Sequence, residues 1–189
     1  MNGAGAEERR LVEGCLALEP RSQQAFYARF ARRMYAVCLR YAHGHEQAQD
    51  MLQDGFIRVF NKLGQFRYEG SLEGWVRRII VRTAIDHLRR EAVQLVQIGD
   101  HRAEEPVVAE EALAALGVEE LRGLISTLPD GYRTVFNLCA IDGYEHAEIA
   151  RMLGIGESTS RSQLAKARRM LQLRIQEITT YVHTQDRSA

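Results

Sequence analysis

The chain has 189 residues, of which 46% are hydrophobic and 26% are charged, and it contains only three prolines. This balance is typical of a globular protein and excludes wholesale disorder, and the residue usage favours helices. The 25 basic residues equal the 25 acidic ones, which at first argues against nucleic-acid binding. The basic and acidic residues are, however, concentrated in different segments. Residues 77–90 carry five arginines against Asp86, whereas residues 99–120 are acidic.

The cysteine content and the hydropathy of the chain indicate its cellular compartment. Cys15, Cys38 and Cys139 are far apart and form no Cys-X-X-Cys pair, so we expect neither a disulfide nor a zinc framework. No apolar run has the length of a signal-peptide core or of a membrane span. These features predict a cytoplasmic protein that makes no contact with a membrane.

The first three segments in chain order are a lead-in and two amphipathic helices. Residues 1–21 are predicted to be a polar lead-in with a short helix near Leu11–Leu18, and Ser22 is the expected N-cap of the next helix. That helix runs to about Tyr41 and a second one spans about 46–63, after a His-Gly-His break. Their predicted buried stripes are Phe26, Phe30, Met34, Val37, Cys38 and Tyr41, followed by Ala48, Met51, Leu52, Phe56, Val59 and Leu63.

A glycine-bounded loop, Gly64–Ser71, carries Phe66 and Tyr68 on either side of a cation. Aromatic side chains in such a loop can stack on unpaired bases, and the alternative is that one of them packs into the core. The next helix, from Leu72 to about Arg90 with Ser71 as its cap, is apolar on most sides. Its exception is a line of arginines at helical spacing, Arg78, Arg82 and Arg89. This line either faces an anion or pairs with acids of the second helix.

The second half of the chain starts with an acidic segment. Residues 93–109 are predicted to be a flexible acidic linker, residues 110–178 a second helical unit, and residues 179–189 a polar tail. Within the second unit, an amphipathic helix precedes Pro129 and a further helix is expected over Tyr132–Ala140.

Residues 143–170 predict two helices joined by a tight turn. Gly154 supplies the left-handed conformation that commonly ends a helix. The apolar positions are Ile149, Ala150 and Leu153 in the first helix and Leu164, Ala167 and Leu171 in the second. A short glycine-containing turn followed by a polar, basic helix is typical of a DNA-binding helix-turn-helix, because a lone helix fits the major groove. An ordinary helical hairpin with a solvated polar face is the alternative.

Four stretches have a distinctive order. They are DMLQDGFIRVF at 50–60, LEGWVRRIIVRTAIDHLRR at 72–90, LPDGYRTVFNL at 128–138 and GYEHAEIARMLGIGESTSRSQLAKAR at 143–168. In order and spacing they resemble the extracytoplasmic-function (ECF) sigma factors, the minimal sigma subunits of bacterial RNA polymerase. The resemblance implies an all-α fold of two small helical domains, region 2 over residues 22–92 and region 4 over residues 110–178, joined by the linker.

The resemblance also implies partners and site residues. The second helix would dock on the clamp helices of the largest subunit of core RNA polymerase, and the flap of the second-largest subunit would be a further contact. The loop aromatics would capture an extruded base of the −10 promoter element, and the basic second helix of the helix-turn-helix would read the −35 element. The polymerase-binding residues would be Asp50, Gln53, Asp54 and Arg58; the −10 residues Phe66, Tyr68, Arg78, Arg82, Thr83 and Arg89; and the −35 residues Ser158, Thr159, Arg161, Ser162, Gln163 and Lys166.

The chain departs from the family pattern at several positions. Thr83 stands where Asn is usual, Glu145 where Ser or Thr caps a helix, Gly156 where Ser is usual, and Ser160 where an apolar residue normally packs inward. The resemblance implies no catalysis and no cofactor. An anti-sigma protein is common in the family, and the sequence does not decide whether one binds here.

Two other functions compete with this interpretation. A standalone helix-turn-helix regulator would bind symmetric half-sites as a dimer, and the loop aromatics followed by the arginine-lined helix argue against it. A small hydrolase would use scattered polar residues, with no nucleophile or metal-ligand spacing to link them, so no metal site is predicted. Those residues are His43, His45, Asp86, His87, His146 and Glu148.

Overall fold

The computed structural model describes residues 3–95 and 118–186, and every regular element in those ranges is a helix. The chain divides into two compact units, Met1–Ile98 and Gly99–Ala189. Of the predicted linker, residues 96–109 lie outside the described residues. None of the helices in the described part of the chain combines the length and the apolar composition that a membrane crossing requires.

The first unit contains four helices. They are α1 (Gly3–Leu16), α2 (Pro20–Leu39), α3 (His45–Lys62) and α4 (Leu72–Leu95), with a 3-10 turn at Leu63–Gln65 after α3. The stripes predicted on α2 and α3 are both confirmed, since all twelve of their members are at most 8% exposed. They pack against each other and against α4, which forms the core of the unit.

The start of α2 differs from the prediction. Ser22 is not the N-cap, because α2 begins at Pro20 with Glu19 in the capping position. Proline is well suited to the first helical position, where its missing N–H would have no partner in any case. The Ser22 hydroxyl instead donates a hydrogen bond to the Glu19 carboxylate at 2.8 Å.

Helix α1 is longer than the expected short helix and packs on α2. It ends in a Schellman arrangement, in which the backbone N–H of Leu18 donates to Cys15 and that of Glu19 to Gly14, at 3.1 and 3.0 Å. Leu18 adopts φ of 59°, the left-handed conformation usually given to glycine at this position. The predicted lead-in therefore folds as part of the first unit.

Helices α3 and α4 approach closely at Gly55. A Cβ placed on Gly55 would lie 2.4 Å from Cδ1 of Ile80, which is fully buried on α4. Glycine therefore sets the distance between the two helices here. At the start of α4, the Ser71 hydroxyl accepts a hydrogen bond from the backbone N–H of Gly74 at 3.3 Å, which confirms the predicted cap.

The second unit contains α5 (Val118–Ser126), α6 (Asp130–Phe136), a π-helical turn (Asn137–Ile141), α7 (His146–Leu153) and α8 (Glu157–Asp186). Helix α6 starts two residues before the predicted Tyr132, and the end of that predicted helix is the π-helical turn. Helix α8 continues through Asp186, into the residues predicted to be a polar tail. Gly154 is left-handed at φ 69°, as expected.

Candidate nucleic-acid and polymerase interfaces

The four residues predicted to dock on the polymerase divide into two pairs. Asp54 accepts a hydrogen bond from Nε2 of His87 at 2.8 Å and lies 3.8 Å from the Arg90 guanidinium, while Arg58 pairs with Asp86. These contacts tie α3 to α4. The Asp54 and Arg58 side chains remain 46% and 40% exposed, so the pairs add little stability and both groups stay within reach of a partner.

The other pair, Asp50 and Gln53, is exposed on α3, and Gln53 lines an open groove of about 570 Å³ between α2 and α3. We call this surface the α2–α3 groove. Its lining residues are Tyr27, Tyr35, Gln49, Leu52, Gln53, Phe56, Ile57 and Phe60. Tyr27 is 44% and Ile57 is 52% exposed, which is unusual for such large apolar side chains grouped in one concave surface.

The apolar part of this groove was not predicted from the sequence. Tyr27 and Ile57 lie outside the two predicted buried stripes, and such large apolar residues next to a buried stripe could have indicated an apolar surface. At one end of the groove, the Tyr35 hydroxyl and Nδ1 of His45 are 2.8 Å apart, which links α2 to the first residue of α3.

The loop aromatics have different environments. Phe66, predicted from the resemblance to capture a base, is only 9% exposed, and its ring centroid lies 5.5 Å from that of Trp75, so it packs in the domain. Tyr68 is 37% exposed, with its ring centroid 4.8 Å from that of Phe66. The alternative that one of the two rings packs into the core holds for Phe66.

The backbone of Tyr68 has a strained conformation. Tyr68 has φ of 60°, a conformation that costs about 1–3 kcal/mol for a residue other than glycine. Such strain persists only where the surrounding structure over-determines it, and here the Tyr68 ring packs against Phe66 and against the guanidinium of Arg9, 4.7 Å from the ring centroid.

Thr83, predicted from the resemblance to belong to the −10 residues, has a buried side chain. Thr83 is fully buried, and its hydroxyl donates to the backbone carbonyl of Ile79 at 2.9 Å. The physical reason is helical register, because Thr83 follows Val76 by seven residues and Ile80 by three and so shares their buried face.

The arginine line on α4 is exposed at Arg78, Arg82 and Arg89. Within residues 3–95, neither Arg78 nor Arg82 forms an ion pair, whereas Asp86 of α4 pairs with Arg58 and Asp54 of α3 pairs with Arg90. Pairing with the acids of α3 therefore does not account for Arg78 and Arg82. Their guanidinium groups are available to an anion.

The outer face of α8 carries the residues predicted to read DNA. Ser158, Thr159, Arg161 and Ser162 are exposed, whereas Gln163 and Lys166 are partly covered. Arg161 pairs with Glu157 one turn earlier, and the Ser162 hydroxyl donates to the Thr159 carbonyl at 3.0 Å. The inner face packs in the unit, as predicted, through Leu164, Ala167 and Leu171. The first two turns of α8 thus present polar donors and one guanidinium outward.

A buried polar pair joins the two helices of the helix-turn-helix. Ser160 is fully buried, and its hydroxyl lies 2.9 Å from Nδ1 of His146 at the start of α7. The other unusual position also has a partner, since the backbone N–H of Glu145 donates to the Glu148 carboxylate at 3.2 Å in a capping box. Ser160 and Glu145, two of the four departures from the family pattern, are therefore compensated locally.

Both units match models of one family. Residues 26–93 match Sigma-70 region 2, and residues 118–171 match Sigma-70, region 4. The chain belongs to the sigma-70 family. It is an RNA polymerase sigma factor, and two helical regions in this order do not favour a standalone helix-turn-helix regulator.

The sigma factor is similar to curated relatives over most of its length. It is 25% identical over 185 residues to RNA polymerase sigma-H factor of Pseudomonas aeruginosa, with 91% of this chain and 95% of that protein covered. It is 28% identical over 179 residues to ECF RNA polymerase sigma factor SigM of Mycobacterium tuberculosis, with 88% and 85% covered. These relatives support the ECF group.

The fold also resembles a solved structure, the sigma factor RpoE in complex with the anti-sigma factor NepR from Bartonella quintana. The TM-score is 0.50 at 17% sequence identity, and the match covers 82% of this chain and 96% of that one. At this identity the likeness supports the fold alone.

The polar residues considered for a hydrolase lie apart in the sigma factor. His45, His87 and His146 contact Tyr35, Asp54 and Ser160 respectively, in three separate places. Among the described residues, no group of three or more His, Cys, Asp or Glu side chains is arranged to hold a metal ion. Each of these three histidines has a local structural partner.

Proposed function

We propose that this sigma factor binds core RNA polymerase, directs it to specific promoters and helps open the −10 element. The observation that carries the proposal is that each matched sigma region exposes a surface suited to its task. Region 2 has the α2–α3 groove, the Tyr68 ring and the arginines of α4, and region 4 has the polar outer face of α8. The proposed place of action is the cytoplasm.

The α2–α3 groove is the proposed docking surface for the clamp helices of the largest polymerase subunit. Exposed Tyr27 and Ile57 supply apolar contact area, and Asp50 and Gln53 supply a polar rim. An apolar centre with polar groups around it is the usual anatomy of a protein interface. Asp54 and Arg58 belong to the same proposed surface, at its side toward α4, and the flap of the second-largest subunit is the proposed partner of region 4.

Tyr68 is the proposed capture site for one extruded base of the −10 element. Extruding a base costs a few kcal/mol, and stacking on an aromatic ring returns about 1–3 kcal/mol of it. Phe66 contacts this ring and is itself packed on Trp75. The exposed arginines Arg78, Arg82 and Arg89 would bind phosphates of the same element and fix its register.

The first two turns of α8 are the proposed reader of the −35 element. Ser158, Thr159, Arg161 and Ser162 lie on the exposed face, opposite the buried Ser160. Arg161 can exchange its Glu157 partner for a guanine edge, since a guanidinium bonds bidentately to the O6 and N7 atoms of guanine. Gln163 and Lys166 complete the proposed set at its partly covered edge.

The two readers belong to one chain, so promoter binding is expected to need both. Each element alone would bind weakly, and joining them on one polymerase raises the effective concentration of the second. The balanced charge of 25 basic and 25 acidic residues would restrict non-specific DNA binding by the free factor. An anti-sigma protein is a further proposed partner, and the related RpoE was solved with one.

Run-off transcription with bacterial core polymerase tests the proposal, using as template the DNA upstream of the gene for this chain. A discrete transcript that requires both the core enzyme and this chain is the expected result. Failure of the chain to bind core polymerase would overturn the proposal, as would binding that yields no transcript from any promoter in a genomic template pool.

Two variants at one position separate base reading from charge in the same assay. Arg161→Ala is expected to lower transcription and to relax the preference at one −35 base pair, at a cost of about 1–3 kcal/mol in binding. Arg161→Lys keeps the charge but loses the bidentate fork, so it should restore phosphate attraction without the base preference. Unchanged output of both variants on every promoter would remove Arg161 from the reader.

A further inference from the structure

Helix α1 lies outside the family match, which begins at residue 26, yet it is firmly attached to the first unit. Val12 and Cys15 are 1% and 3% exposed against the rest of the unit. Glu8 and Arg29 join α1 to α2 by an ion pair of 3.1 Å. A helix held by buried contacts and by an ion pair has a defined position relative to its neighbours.

That position brings α1 beside the Tyr68 loop. A Cβ on Gly64, the first residue of the loop, would lie 3.7 Å from a methyl carbon of Leu16. Nearer the start of α1, the guanidinium carbon of Arg9 lies 4.7 Å from the centre of the Tyr68 ring. Phe66 packs on the same ring from inside the domain, so Arg9 covers it from the solvent side.

We propose that Arg9 occupies, in the free protein, the ring face of Tyr68 on which the promoter base stacks. Helix α1 is thereby a built-in competitor of single-stranded DNA at this site. This inference rests on the proposed base-capturing role of Tyr68, and it adds a residue and a helix that lie outside the matched regions.

The chemistry of the two stacking groups supports competition. A guanidinium is flat and lies well on an aromatic face, and a nucleobase uses the same face in the same way. Only one flat group fits on the solvent side of the ring at a time. The contact also keeps this face of the ring covered until a base replaces Arg9. A base must therefore stack strongly and lie in the correct register, which restricts capture of unrelated single strands.

The test measures binding of a fluorescein-labelled oligothymidylate to the full-length protein by fluorescence anisotropy at low salt, since stacking on aromatic rings tolerates any base. Arg9→Ala removes the competitor but also removes one positive charge. Arg10→Ala is the matched control, because it removes the same charge from an exposed neighbouring position of α1. We expect Arg9→Ala to bind about two- to fivefold more tightly than Arg10→Ala, the change that corresponds to an exposed cation–π contact.

Equal or weaker binding by Arg9→Ala than by Arg10→Ala would overturn the competition. Tyr68→Ala separates this failure from failure of the proposed function. If Tyr68→Ala binds as well as the unchanged protein, or if no variant binds the oligonucleotide, the ring is not a base site. If Tyr68→Ala weakens binding and Arg9→Ala does not strengthen it relative to Arg10→Ala, the ring is a base site that Arg9 does not guard.

Discussion

Buried polar side chains hold α8 in place in the second unit. Ser160 replaces an apolar residue at a fully buried position, and a buried hydroxyl without a partner costs about 1–3 kcal/mol. Here the hydroxyl meets His146 at 2.9 Å, so the polar group is satisfied and α8 is joined to α7. Arg133 has a similar role, because it is 8% exposed and donates to the Ser126 carbonyl at 3.2 Å and to Asp130 at 3.0 Å.

The cysteines provide a prediction at the same scale. Burial raises the pKa of Cys38 to about 12, and burial followed by the nearby Glu19 carboxylate raises the pKa of Cys15. Only the thiolate reacts with iodoacetamide, so Cys139, which is partly exposed, should be alkylated first at pH 8 and Cys38 last. Peptide mass spectrometry over time measures the order, and denatured protein should lose it. Early modification of Cys38 in the folded protein would contradict the prediction.

The Cys38 thiol is also expected to affect the stability of the protein at alkaline pH. The unfolded Cys38 thiol ionises near 9.0 and the folded one near 12. Because the unfolded state loses its proton first, the contribution of Cys38 to the free energy of unfolding is complete below pH 9.0 and is lost as the pH rises toward 12. Cys38→Ala should show a smaller loss over that window in urea unfolding experiments.

At the scale of elements, the approach of α3 to α4 depends on one glycine. Gly55→Ala would place a methyl group 2.4 Å from Cδ1 of Ile80, in a core without space for it. We expect this overpacking to lower the free energy of unfolding of the first unit by about 1–3 kcal/mol. Urea unfolding followed by the fluorescence of Trp75, the one tryptophan of the chain, reports on this unit.

Gly74→Ala is the matched control for Gly55→Ala in the same unit. Its new methyl would lie 3.8 Å from Cβ of Ser71, an ordinary contact, and alanine is the better helix former by about 1 kcal/mol. The control should therefore be as stable as the unchanged protein or more so. Equal stability of the Gly55→Ala and Gly74→Ala variants would mean that α3 and α4 can separate at no cost.

At the scale of the whole molecule, the α2–α3 groove should set affinity for core polymerase. Ile57→Arg places a charge in the middle of this apolar surface, and disrupting a central contact of an interface commonly weakens binding by about tenfold or more. Ile178→Arg is the control, since it makes the same change at an exposed isoleucine of α8, outside the matched region 4. Surface plasmon resonance with immobilised core polymerase measures both affinities. Equal affinities would exclude the groove as the docking surface.

The helical class, the division into two units and the family could all be predicted from the sequence. Regular spacing of apolar residues is a local property, so the stripes of α2 and α3, the Ser71 cap and the left-handed Gly154 were all predictable. The ordered motifs identified the sigma regions because they lie within continuous stretches of chain. The register of Thr83 was also readable in principle, since it repeats the buried positions of α4.

The accessibility of the candidate residues, in contrast, depends on how the helices pack in three dimensions. Phe66 is buried because Trp75 of the following helix packs on it, and Asp54 and Arg58 are paired because α4 brings His87 and Asp86 beside them. Arg9 reaches Tyr68, nearly sixty residues away in the chain, because α1 docks on the same unit. Exposure and pairing depend on contacts between distant segments, which the local pattern of a sequence does not encode.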